Sequence, residues 1–180
     1  MCGINGIVKK ELSQESLIDK VKKMNLQTLY RGPDNSDFYI YNNTCLGHNR
    51  LSIIDLSSIA NQPFKFNNLH LVFNGEIYNY KKIRNELINL GYVFKTNSDT
   101  EVVILAFDYW GVKCFDKFEG MFALALLDSK SNHLYLARDF FGEKPLYYNL
   151  NEGNEFIFSS EINPVRDLVK SFSHTKLDKK

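Results

Sequence analysis

Residues 1–8 read MCGINGIV. A thiol stands second, behind the initiator methionine, and a short apolar run follows it. Chain ends ordinarily fray, so a terminal thiol is a liability unless something uses it. Two readings are open. In the first, Cys2 is merely the edge of a first strand. In the second, Met1 is trimmed, because methionine aminopeptidases act before small residues, and Cys2 becomes the mature terminus. One residue then carries both a nucleophile and a base. A freed α-amine titrates near ~8, so much of it is neutral at a pH of about 7.5. It can take the thiol proton, directly or through a water, and later return it to a leaving amine.

The remaining composition narrows the field. The chain has 180 residues, 44% hydrophobic and 14% aromatic, enough for one large domain with its own core. A net charge of +1 and the lack of a basic block interleaved with aromatics argue against nucleic acid. Cys2, Cys45 and Cys114 are an odd set with no paired spacing, so no disulfide framework is expected. His48, His70, His133 and His174 lie far apart and form no ligand pattern, so no metal is expected. Charged residues arrive by Lys9, which leaves no room for a secretory h-region, and no run is long enough to span a bilayer. Glycine is third rather than second, which excludes the myristoylation pattern. The expectation is a reduced, cytoplasmic protein.

Periodicity places the elements. CGINGIV reads as a buried strand. Residues 13–32 read as a helix, with Ser13 as cap and Leu17, Val21, Met24 and Thr28 on one face. RGPD, 31–34, ends it with turn chemistry. DFYIY and CLGHNRLSII, joined at Asn42-Asn43, read as a hairpin whose second strand reaches Ile54. LHLVFNGE, 69–76, reads as a strand running into a glycine turn. A helix at 79–92 presents Ile83, Leu87 and Leu90 and stops at Gly91. Another at 99–111 takes Asp99 or Thr100 as its cap and ends at Gly111. MFALALLD and HLYLAR form a hairpin turned by SKSN; LYY and EFIFSS complete a β-rich second half. Strand pairs at both ends with helices clustered between them predict an α+β fold of antiparallel sheets covered by helices. After residue 162 the pattern weakens, and 163–180 reads as a linker or the start of a further domain.

Three more stretches carry candidate chemistry. Asn74-Gly75 in VFNGEIYNY is by default a turn. At the end of an apolar strand it can instead supply an oxyanion hole from the Asn74 amide and the Gly75 N–H. Gly75 would let substrate approach without a Cβ in the way. Arg50 in GHNRLSIIDL is a structural pair or a fork for a carboxylate. Asp99 in TNSDTEVV is a cap or a carboxylate facing an ammonium. Together, an arginine, an acid, a thiol and an oxyanion hole would suit an α-amino acid with an acyl group at its far end. Glutamine fits that description.

In order along the chain, MCGI.GIV, RGPD, LGHNRLSIIDLS…NQPF, FNGEIYNY, NSDTEVV, F.GMFALAL.D, LARDFFGEKPLYY and FSSEI resemble the class II glutamine amidotransferase domain of glutamine-hydrolysing asparagine synthetases. The resemblance covers roughly residues 2–162. It implies the four-layer αββα sandwich of N-terminal nucleophile hydrolases. It implies that Cys2 forms a γ-glutamyl thioester and that its amine is the base. Arg50 would bind the glutamine α-carboxylate, and Asp99 with Glu76 its α-ammonium. Asn74 and Gly75 would form the oxyanion hole. The backbone of Leu51, Ser52, Ile53 and Ile54 would line the pocket, with Ile53 contributing a carbonyl. Glutamine hydrolysis would need no cofactor. RGPD would be structural or gating.

The chain also departs from that family. It holds no SGG phosphate loop, so ATP and Mg²⁺ are expected only in a synthetase domain or subunit that receives the ammonia. Phe140 stands where such sequences often carry a polar residue. Three rivals stay open. The ammonia acceptor could be a surface-polysaccharide sugar acid rather than aspartate. The chain could be a non-catalytic module of the same fold, or an amidase with a similar nucleophile. No membrane or nucleic-acid partner is expected, and a homodimer is compatible with the reading.

Overall fold

A computed structural model describes residues 1–151 and 155–169. The predicted tail from residue 170 onward, with His174, lies outside the described residues. Among those described, nine strands form two antiparallel sheets and four α-helices cover them.

The first sheet is built around β1 (Gly3–Val8). It pairs on one side with β3 (Thr44–Arg50) and on the other with β9 (Phe156–Ser159). β2 (Asn35–Tyr41) and β8 (Tyr147–Leu150) close the edges, giving the order β2-β3-β1-β9-β8. The β2–β3 hairpin turns at Asn42, whose φ of +50° suits asparagine. Helix α1 (Gln14–Thr28) lies on the outer face of this sheet. Ser13 caps it by accepting from the Ser16 N–H at 3.2 Å, and Leu17, Val21, Met24 and Thr28 are buried, as the periodicity predicts. The short helix α4 (Ile162–Leu168) packs beside it, burying Val165 and Val169 among the α1 residues. The packed unit therefore continues past residue 162, to at least Val169.

The second sheet has the order β4-β5-β6-β7. Its strands are β4 (Phe64–Phe66), β5 (Leu69–Ile77), β6 (Gly120–Asp128) and β7 (His133–Arg138). Helices α2 (Tyr80–Asn89) and α3 (Asp99–Trp110) cover its outer face. Three apolar clusters fill the three gaps between four layers: helices α1 and α4 on the first sheet, sheet on sheet, and the second sheet on α2 and α3. This is the αββα sandwich of antiparallel sheets.

The structure corrects the local reading at four places. β5 does not turn at Asn74-Gly75; it runs straight to Ile77, because β6 pairs with it along its full length. Gly75 is needed there for close approach. A Cβ would lie 2.4 Å from the Met121 carbonyl oxygen and 2.7 Å from Phe122 Cα. β3 ends at Arg50, so residues 51–54 leave the sheet. The cap of α3 is Ser98, not Asp99 or Thr100: its hydroxyl accepts from the Glu101 N–H at 3.3 Å. On α2, Leu90 is exposed rather than packed, since the helix ends at Asn89 and Gly91 turns with φ +94°.

Candidate active site

β1 enters the first sheet at Gly3, opposite Asn49 of β3, so Cys2 stands at the strand's open end beside the chain leaving Arg50. A buried polar network fixes that strand. Asn5 Nδ2 donates to Asn25 Oδ1 at 2.9 Å and to Thr28 Oγ1 at 2.8 Å, and Asn5 Oδ1 accepts from Ser159 at 2.7 Å. Asn49 Nδ2 donates to the Asn25 carbonyl and to Thr28. Satisfied groups in a low dielectric specify one arrangement. Cys2 itself is held by Arg31, whose Nε donates to the Cys2 carbonyl at 3.0 Å while Nη1 pairs with Glu161.

The RGPD turn serves both sides of this entrance. Gly32 passes so close to β3 that a Cβ would meet the Asn49 carbonyl oxygen at 2.4 Å. Asp34 accepts from the Ser52 N–H at 2.7 Å and so anchors the loop after β3. The turn is a structural clamp on the Cys2 end.

Cys2, Arg50, Leu51, Ile53 and Ile54 form one wall of a cavity of about 140 Å³, and Asn74, Gly75, Glu76 and Asp99 form another. Sites for drug-sized ligands run ~300–1,000 Å³, so this one suits a small metabolite. Ser52 is not brought to it; its N–H is engaged by Asp34. Gln62, Ser98, Thr100 and Lys144 also line the cavity. Sequence reasoning missed these four. Ser98 and Thr100 flank Asp99 and were within reach of it; Gln62 and Lys144 are brought in only by the fold.

The Cys2 thiol sits 3.4 Å from the Leu51 N–H nitrogen, which donates to it, and 3.7 Å from the Leu51 carbonyl. Burial pushes the thiol above its ordinary pKa, and Asp99 adds to this; the Leu51 N–H, the terminal amine and Arg50 pull it back in part. At neutral pH it rests as a thiol, so a nearby base is required before it can attack. Cys45 and Cys114 are fully buried, and burial pushes both thiols to about 12. They are core residues. His48 is likewise a core group, bonded to the Phe73 carbonyl and kept neutral by burial, at about 3.

The opposite wall is an open strand edge. Asp139 exchanges bonds with both the N–H and the carbonyl of Phe122, so that residue's backbone points toward β7. Its partner Gly75 is then a non-hydrogen-bonded pair, with its own N–H directed away from β6. The neighbours agree. The Phe73 N–H donates to Gln62 Oε1 at 2.6 Å, and the Ile77 N–H donates to Asp99 Oδ2 at 3.1 Å. Between them the Gly75 N–H faces the cavity. Asn74 is buried beside it, and its Nδ2 has no hydrogen-bond partner among the described residues. Among the described residues, two donors thus converge on the cavity without acceptors of their own.

Asp99 is 4% exposed and has no cation within ion-pair distance among the described residues. Burial pushes its carboxyl up to about 6; the N–H groups of Ile77, Asp99 and Thr100 oppose this, and Glu76 reinforces it. Such a group gains strongly from a ligand ammonium. Arg50 is also buried. Its Nη1 donates to the Ser57 carbonyl at 2.8 Å and to Asn61 Oδ1 at 2.6 Å, and Nη2 donates to the Asp55 carbonyl. In this state its fork holds the 51–61 loop over the cavity. Phe140 and Phe141 are exposed, and nothing in the structure explains the aromatic residue at 140.

A two-sheet sandwich with a cysteine at the free end of a central strand, facing preorganised donors, defines the N-terminal nucleophile class of amidotransferase folds. Comparison with solved structures agrees. The glutamine phosphoribosylpyrophosphate amidotransferase of Bacillus subtilis superposes with a TM-score of 0.73 at 20% identity, over 89% of this chain and 42% of that one. The family model "Glutamine amidotransferase domain" matches residues 1–179. The chain is similar to putative glutamine-hydrolysing asparagine synthetase 2 of Methanocaldococcus jannaschii, 38% identical over 92% of this chain and 35% of the relative. It is 38% identical to glutamine-hydrolysing asparagine synthetase 3 of Bacillus subtilis, over 92% of this chain and 27% of the relative. With glutamine-hydrolysing asparagine synthetase B of Escherichia coli it shares 35% identity, over 96% and 32%. The chain belongs to the glutamine amidotransferase domain family. It spans about a third or less of the length of these curated relatives. No helix among the described residues is long and apolar enough to cross a membrane.

Proposed function

We propose that this chain hydrolyses L-glutamine to glutamate and ammonia and delivers the ammonia to an ATP-dependent synthetase domain or subunit that amidates aspartate. The names of the similar proteins support the acceptor. The observation that carries the hydrolysis is the convergence on one small cavity of Cys2, Asn74, whose Nδ2 has no partner among the described residues, and Asp99, which has no cation at ion-pair distance among them.

The chemistry follows from those positions. Removal of Met1 frees the Cys2 α-amine, which takes the Sγ proton. Sγ attacks the glutamine side-chain carbonyl carbon, and the resulting oxyanion lies on Asn74 Nδ2 and the Gly75 N–H. The C–N bond breaks, the amine proton passes to the leaving nitrogen, and ammonia departs from a thioester. Water, deprotonated by the same amine, attacks the thioester and releases glutamate, restoring the thiol. Asp99 and Glu76 hold the α-ammonium. Arg50 binds the α-carboxylate by exchanging loop carbonyls for carboxylate oxygens as the substrate enters. Leu51, Ile53 and Ile54 line the pocket. Every proton in the cycle is carried by Cys2 or water; ATP and Mg²⁺ belong to the synthetase portion.

The test is glutamate release from glutamine by the untagged chain, with the mass showing that Met1 is gone. Release that vanishes in Cys2→Ala supports the reading. A folded chain with a free Cys2 and its natural synthetase partner that releases none would overturn it.

A further inference from the structure

Lys144 is 6% exposed, lines the same cavity as Cys2, and has no carboxylate within ion-pair distance among the described residues. Its Nζ touches Met1 Sδ at 3.2 Å. A lysine held at the mouth of a site, with no carboxylate beside it, is a candidate functional charge. Nor is the placement loose. Asp139 accepts from the N–H groups of Phe122 at 3.1 Å, Glu143 at 2.8 Å and Lys144 at 3.0 Å. Arg138 donates to the carbonyls of Gly142 and Lys144. The loop carrying Lys144 is therefore fastened to the strand residue directly opposite Gly75.

We propose that Lys144 is a positioning residue for the hydrolysis described above, acting through the Cys2 α-amine: its fixed ammonium disfavours a second positive charge beside Cys2 and so holds the amine in the neutral form that accepts the thiol proton. The inference rests on the reading of Cys2 as an N-terminal nucleophile. The other charges around that amine define the balance. Arg31, at the Cys2 carbonyl, acts in the same direction but is paired with Glu161. Arg50, at the end of β3, adds to it. Glu76 on β5 and Asp99 on α3 oppose it from the far wall, as does the Cys2 thiol once ionised. Neither Arg50 nor Lys144 has a carboxylate within ion-pair distance among the described residues, but the Arg50 guanidinium is engaged by the Ser57 and Asp55 carbonyls and Asn61, whereas the Lys144 ammonium contacts the chain terminus itself. The terminal amine of Met1 already shows the same direction: burial lowers it, Cys2 raises it, and Arg31 and Lys144 lower it further.

The full chain with Met1 removed, labelled with ¹⁵N-cysteine, has three labelled sites. The α-amine of Cys2 resonates apart from the Cys45 and Cys114 amides, which report the fold. In Lys144→Met the amine midpoint should rise by on the order of one pH unit. The acid limb of kcat/KM should move up with it, and Lys144→Arg should restore both. An unmoved midpoint in Lys144→Met with both amide signals intact overturns the proposal. So does a Lys144→Arg variant that behaves like Lys144→Met, because packing rather than charge would then be responsible. Glutamate release by the wild-type chain with its synthetase partner is read separately: release with an unmoved midpoint overturns the role of Lys144 alone, and no release overturns the hydrolysis itself.

Discussion

The two sheets reach the cavity by different means. The first delivers a single residue, Cys2, from the end of a strand, and secures it with polar groups: Asn5, Asn25, Thr28, Asn49 and Ser159 are buried and mutually bonded. The second delivers its donors from the middle of an edge, where nine residues of β5 pair with β6 and α3 covers them with fully buried apolar side chains. A strand end has no flanking ladder, so hydrogen bonds must replace one. A mid-strand position inherits rigidity from its neighbours. The proposed nucleophile is thus the part most exposed to loss of a polar contact, and the proposed oxyanion hole the part most exposed to a change of shape.

The comparison can be broken most sharply at Cys2. Cys2→Ala should lower glutamate release by at least ~10⁴-fold and leave the melting temperature nearly unchanged, since a half-buried terminal atom is lost. On the other wall, Asn74→Ala should reduce kcat by about 10²–10³-fold with little change in KM; an equal effect on KM would show ground-state binding instead. Asp99→Asn should raise KM for glutamine by roughly 10²-fold through loss of a charge-assisted contact.

The sign of the Asp99 titration gives a further separation. Its carboxyl is raised, to about 6, above the ordinary value of 3.8, so the buried charge costs stability once pH exceeds the unfolded value, and the cost is fullest above about 6. The ligand-free Asp99→Asn chain should therefore melt higher at pH 7, by the equivalent of about 1–2 kcal/mol. That gain should vanish near pH 4. In the wild type, KM should rise as pH falls through about 6, because a protonated carboxyl cannot pair with an ammonium.

The smallest effect on chemistry should come from the first sheet's network. Asn5→Ala leaves Asn25, Thr28 and Ser159 with unmatched groups and should cost about 2–3 kcal/mol in denaturant unfolding. It should lower kcat only through the placement of Cys2. A kcat loss larger than that of Asn74→Ala would reverse the contrast between the two walls.

Much of this was legible in the chain itself. The α1 face, the Asn42 hairpin, the SKSN turn, the terminal thiol and the candidates Arg50, Asn74, Gly75 and Asp99 could be read from residue types and spacing, because capping, turn chemistry and amphipathic periodicity are local; Glu76 and the loop after Arg50 came only from the family resemblance. Four matters were decided only by the tertiary structure. Asn-Gly is a turn by its own preference, yet full-length pairing with β6 keeps it extended and aims the Gly75 N–H into the cavity. Asp99 looks like a helix cap until Ser98 takes that duty and frees its carboxylate for the site. Arg50 looks free to bind a carboxylate until the loop after β3 folds over and occupies its fork. Lys144, 142 residues from Cys2 in sequence, shares its cavity only because Asp139 fastens the intervening loop to β6. Local sequence selects among conformations of a few residues; which partner a strand edge, a carboxylate or a guanidinium finally meets depends on segments far away, and that choice is made only when the layers close.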